Sequence, residues 1–119
     1  MNIEDVLARF ALLAGLRGDE ASVWMPVCRG AIAEINSRLK QPDPAQKEEE
    51  ALCHAAAALA YYRYSMTASC WDQSFSAGDI SVTRRADEVQ RAERMWNDAQ
   101  RAISSLVKDQ DFVFERVWP

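Results

Sequence analysis

Few side chains in this 119-residue chain could do nucleophilic, acid-base or metal chemistry: one histidine, His54, and three cysteines, Cys28, Cys53 and Cys70. A zinc site needs convergent ligands, whereas Cys53 and His54 are adjacent and point in different directions around a helix. His54 follows Glu50 by four residues and precedes a run of alanines, which is the setting of a surface or partly buried histidine. A Cys/His nucleophilic pair would need Cys28 or Cys70 to meet His54 in space, and nothing local supports that. The cysteines are odd in number, widely spaced and never CxxC, so they read as small hydrophobes in a reducing, intracellular setting. Carboxylate pairs such as Asp87 with Glu88, or Asp109 with Asp111, fall near expected helix ends, where capping and solvation account for them. There is no GxGxxG, P-loop, HExxH or GxSxG, which excludes enzymes built on those motifs. The expectation is a chain that is not an enzyme, with no catalytic residue, cofactor or metal.

Nucleic-acid chemistry fares little better. Fourteen Lys and Arg stand against eighteen Asp and Glu, a formal net charge of −4, which disfavours gripping DNA through a broad basic surface. Arg84, Arg85, Arg91, Arg94 and Arg101 share the last expected helix with Asp87, Glu88, Glu93 and Asp98, so no uniform basic stripe results. The first two helices, separated by LRGDE, have the outline of a helix-turn-helix, but the second carries only Arg29, Arg38 and Lys40 as cations and contains Pro26.

The elements that must position these residues are helical. Ile3, Val6, Leu7, Phe10, Leu13 and Ala14 repeat at helical spacing between an N-cap at Asn2 and a stop at Gly15. Val23, Trp24, Val27, Ala31, Ile35 and Leu39 carry the period from about Asp19 to Lys40, with Pro26 either marking a start near Ser22 or kinking the helix. The segment QPDPAQ at 41–46 ends that helix and opens a third: Asp43 can cap, Pro44 suits the first helical position and Gln46 completes a capping box. Leu52, Ala55, Leu59, Tyr62 and Met66 form its stripe, and the small residues Ala56, Ala57, Ala58 and Ala60 beside it permit close helix approach. Glu48, Glu49 and Glu50 suit its N-terminal dipole.

Between 67 and 83 the period lapses into TASCWDQSFSAGDISVT. This predicts a long loop with a short strand after Gly78, and a loop that long in a small domain usually carries function. A fourth helix, from about Arg85 to Lys108, places Val89, Ala92, Trp96, Ala99, Ile103 and Leu106 at 3-4 spacing, suited to packing within a bundle or against a neighbouring subunit. The end, DFVFERVWP at 111–119, reads as a strand or an extended tail. The expected fold is therefore mainly α: a single domain over 1–119, a small four-helix bundle-like protomer with a long loop before its last helix and an extended C-terminal tail. Glu4 and Asp5 stand where a secretory signal would be basic, and no apolar run reaches the roughly 20 residues of a membrane span, so a soluble, cytoplasmic protein is expected.

Trp24, Tyr62 and Trp96 lie on helical stripes and are most simply core. Trp71, Phe75, Phe112, Phe114 and Trp118 lie in the loop and tail, where they either fold back over the bundle or anchor another chain.

This order of parts resembles the head-tail connector, or adaptor, proteins of long-tailed bacteriophages and prophages. The resemblance covers nearly the whole chain: a short helix ending LAGL, a second ending IAEINSRL, a third ending ALAYYRYS, the interval SFSAGDISVT, and a last helix followed by FVFERV. It implies a non-enzymatic structural protomer that forms a homo-oligomeric ring, only on the portal in some cases, and extends the DNA channel. Its implied partners are the phage portal protein and a downstream connector or tail-completion protein, with double-stranded DNA passing through without sequence-specific binding and no membrane. The implied location is the host bacterial cytoplasm during assembly and then the virion neck. The implied interface residues are Trp71, Phe75, Gly78, Asp79, Ile80 and Val82 in the loop, and Phe112, Phe114 and Trp118 in the tail.

Overall fold

The computed structural model describes the backbone of residues 1–40, 46–75 and 79–107, and the side chains of these residues outside 46, 68–75 and 79–86. Among them run five helices: α1 (Ile3–Ala14), α2 (Gly18–Ser22), α3 (Met25–Arg38), α4 (Gln46–Phe75) and α5 (Asp79–Ala102). The mainly α, bundle-like architecture expected from the periodicity is the one the chain adopts.

α1 begins and ends on the residues that its sequence marks. The Asn2 side chain accepts the Glu4 N–H at 2.8 Å, satisfying one of the donors that a helix start leaves open. Gly15 closes the helix in the left-handed region at φ 70° and sends its N–H to the Ala11 carbonyl, a conformation that a Cβ would disfavour. Val6 and Phe10 on the inner face are fully buried.

The single helix expected from about Asp19 to Lys40 is instead two. α2 is a five-residue turn steadied by Glu20, whose carboxylate accepts the Arg17 N–H at 3.2 Å and pairs with the Arg17 side chain at 3.2 Å. The chain then passes through Val23 and Trp24, and α3 restarts with Pro26 in its first turn. There a missing N–H costs nothing, because the first turn has no intrahelical acceptor. Pro26 therefore neither kinks a continuous helix nor sits deep within one.

α4 is the central element. Ala55, Ala56, Ala57, Ala58 and Ala60 are each 0% exposed, and four consecutive buried positions cover every direction around a helix of 3.6 residues per turn. α1, α3 and α5 all pack against it. Short alanine side chains are what allow three neighbours to approach one axis. Tyr64 fixes the junction with the N-terminal helices: Phe10 meets it edge-on at 5.6 Å between ring centroids and Trp24 does so at 4.8 Å, geometries that the aromatic quadrupole favours.

α5 applies Ala92, Trp96 and Ala99 to the bundle, and Ile103 just past its end does the same, all buried, so this 3-4 stripe is used inside the protomer. Beyond Ala102 the chain turns, and Leu39 and Val107 form an antiparallel bridge, with the Lys40 N–H donating to the Leu106 carbonyl at 3.0 Å. The ends of α3 and α5 are thereby tied together.

The largest departure from expectation lies between 67 and 83. α4 continues through Phe75 and α5 begins at Asp79, so the interval is helical on both sides of 76–78, and the short strand expected at Ile80 and Val82 is the first turn of α5. Loss of an apolar stripe removes the reason to bury a helix face but does not break the helix. Residues 67–75 contain neither Gly nor Pro, and their Ser and Thr each cost only about 0.5 kcal/mol in propensity. The expected capping segment at 41–45 and the expected tail at 111–119 lie outside the described residues.

Candidate functional site

Three places merit a chemical reading: the hairpin end singled out by sequence, a polar contact between α4 and α5, and a cleft among α3, α4 and α5.

The nine interface candidates divide by position. Trp71 and Phe75 fall on the last turns of α4, four residues apart and therefore on one face of that helix. Asp79, Ile80 and Val82 open α5. Because α4 and α5 are joined through 76–78, these five positions share one end of a helical hairpin; their side chains, and Gly78, lie outside the described residues. So do Phe112, Phe114 and Trp118. The structure thus gathers the loop candidates at one end of the hairpin.

The polar contact centres on Tyr61, which is 1% exposed. Its hydroxyl donates to Glu88 Oε2 at 3.4 Å and accepts from Arg91 Nη2 at 3.0 Å, while Arg91 and Glu88 lie 3.9 Å apart. Burial pushes the phenol above its ordinary value, the neighbouring guanidinium pulling the other way, so at neutral pH Tyr61 is an uncharged bridge. Such a phenol is a poor general base, and the arrangement serves to clamp α5 to α4. Neither Tyr61 nor Tyr64 lies on the Leu52–Met66 stripe. The alanine run hides the second apolar face to which they belong, since alanine marks neither an inside nor an outside.

Cys28, Cys53 and His54 do not line the cleft. Burial pushes the Cys28 thiol up to about 11, which leaves it protonated and unreactive at neutral pH. Cys53 is likewise buried, while its neighbour His54 is exposed. The side chain of Cys70 lies outside the described residues. Among the described residues no group of three His, Cys, Asp or Glu side chains is placed to hold a metal ion, and no helix is long and apolar enough to cross a membrane.

The cleft has a volume of about 340 Å³. Leu59, Tyr62, Met66 and Trp96 supply apolar surface, and Glu34, Arg38, Arg63 and Glu93 supply charge. Arg38 pairs with Glu34 at 3.1 Å. Tyr62, expected in the core, packs half-buried against it and also lines this opening, as does Met66 at 39% exposed. Sequence gave no sign of the cleft, because its walls come from three helices distant in the chain.

No protein-family model, no curated protein and no solved structure matches the chain.

Proposed function

We propose that the chain is a structural protomer of the head-tail junction of a long-tailed bacteriophage or prophage. In this reading it assembles as a ring on the portal, extends the DNA channel and docks the next connector or tail-completion protein. The observation that carries the reading is the α4–α5 hairpin. The last described buried side chain on α4 is Ser65, yet the helix continues through Phe75, a further 15 Å or so at 1.5 Å per residue. That extension delivers Trp71 and Phe75 to the same end as Asp79, Ile80 and Val82, a composition suited to an interface core, where aromatic residues are enriched.

Ring formation asks for head-to-tail contacts that close. One end of a hairpin meeting a different surface of the neighbouring protomer satisfies that geometry. A net charge of −4 also suits a conduit, which must let DNA pass without retaining it. The alternative, a small dimeric regulatory or DNA-associated protein, used the α5 stripe as its dimer seam, and Ala92, Trp96, Ala99 and Ile103 of that stripe are buried within the protomer.

The test is assembly on portal rings. Purified protein mixed with them is expected to add a ring of density by electron microscopy, and a well-folded protein that adds none would sink the proposal. A stable dimer with salt-sensitive DNA binding would favour the alternative.

A further inference from the structure

The geometry points to an interface between copies of this chain: the outer stripe of α1, Asp5, Ala8 and Leu12, lies in the α3–α4–α5 cleft of a second copy. Leu12 is 84% exposed, more than any other large apolar side chain among the described residues. Asp5 and Ala8 are exposed as well, and their spacings of seven and four residues set both on the Leu12 side of the helix. Phe10, buried against Tyr64, stands two residues from Leu12, about 200° around the helix. The stripe therefore faces away from its own bundle.

The cleft matches the stripe in length, chemistry and charge. Its α4 wall runs from Leu59 to Met66 and its α5 wall from Glu93 to Gln100. Each wall spans seven steps along a helix, about 10.5 Å at 1.5 Å per residue, the same two turns that separate Asp5 from Leu12. Leu59, Tyr62, Met66 and Trp96 offer Leu12 an apolar seat, and the small side chain of Ala8 lets the helices approach closely. Arg63 is half-buried, Asp5 is exposed, and neither has an ion-pair partner among the described residues, so Asp5 supplies the charge that Arg63 lacks. The other cation of the cleft, Arg38, already pairs with Glu34, and Glu93 is exposed to water. Because stripe and cleft are different surfaces, the contact is heterologous: each copy offers its stripe to one neighbour and its cleft to another, the arrangement that closes into a ring when the rotation allows. A two-turn contact buries well below the roughly 1,200 Å² of a stable interface, so it is weak alone and strengthens where other contacts hold the copies together. The inference goes beyond the connector reading, since a contact between copies needs no portal.

Two measurements on the full-length chain test this. In the first, a benzophenone side chain replaces Leu12, and light and heavy isotopic forms are mixed at about 0.5 mM, which populates even a millimolar contact. Crosslinks between copies to 59–66 or 93–100 support the interface. Crosslinks between copies to other sites, or none between copies, overturn it. In the second, the charges are exchanged in the benzophenone-bearing chain. Asp5→Arg and Arg63→Glu are each expected to lower the crosslink yield between copies roughly five-fold, because each sets like charges together. Mixing the two variants places opposite charges across the contact again and is expected to restore the yield, which also shows that both variants fold. An unchanged yield in the single variants, or no recovery on mixing, overturns the proposal. The outcome is separable from the connector reading: a chain that adds no ring to the portal can still give these crosslinks, and one that gives none can still add a ring through its hairpin end.

Discussion

Tyr61 shows how much one polar atom holds in place. Replacing it with Phe removes the hydroxyl that joins Glu88 and Arg91 while leaving the ring, and with it most of the packing, intact. Tyr61→Phe should therefore cost about 1–2 kcal/mol, the range for a partly buried hydrogen bond to charged groups, read as a lower urea midpoint at unchanged slope. A loss below about 0.3 kcal/mol would mean that the clamp contributes nothing. Cys28 makes a prediction in pH. Its thiol is raised from 9.0 to about 11 by burial, so the folded state resists ionisation that the unfolded chain accepts. The contribution is fully present below about pH 9 and is lost as pH rises through about 11. Stability of the wild type should fall more steeply over that window than that of Cys28→Ala, whatever the variant's starting level; parallel curves would refute the assignment. Neither residue's role was legible in the sequence, because both depend on what a neighbouring helix places against them.

At the scale of elements, α4 decides most of what the bundle can accept. Ala57 is 0% exposed in a stretch enclosed by α1, α3 and α5, so Ala57→Leu has no free volume to enter. It should destabilise the chain by about 2 kcal/mol or more, as overpacking does, whereas Leu12→Ala at an 84% exposed position should stay within about 0.5 kcal/mol. Comparable denaturation midpoints for the two variants would contradict a central α4. Helix starts and stops were legible where local chemistry sets them, at Asn2 and Gly15, whereas Pro26 left open a start near Ser22 or a kink, and the restart at Met25 is neither. The polarity of 67–83 predicts a loop, yet 67–75 and 79–83 are helical. Whether a polar segment remains helical depends on what breaks it, and 67–75 holds no breaker.

For the whole molecule, the arrangement is a hub. Every other long helix packs on α4, and the ends of α3 and α5 are joined through Leu39 and Val107, so no described helix has a core of its own. Unfolding should be one cooperative transition, with helical circular dichroism and tryptophan emission losing signal at the same urea concentration. Separated midpoints would show that the α4–α5 hairpin and the N-terminal helices melt as independent units. Only at this scale do the backbone positions of Trp71 and Phe75 on α4 come to the same end of the hairpin as Asp79, Ile80 and Val82 on α5.

By itself the sequence determined the helical class, the caps of α1 and the lack of recognisable catalytic motifs, all properties of neighbours within a few residues or of composition. Tertiary structure alone decided that α4 is surrounded, that Tyr61 and Tyr64 rather than Tyr62 are the buried tyrosines, that the α5 stripe is spent inside the protomer, and that a cleft opens among α3, α4 and α5. The reason is one of range. A helical period fixes which residues share a face, but the partner of each face, and any gap left between three of them, is set by helices brought together from far apart in the chain.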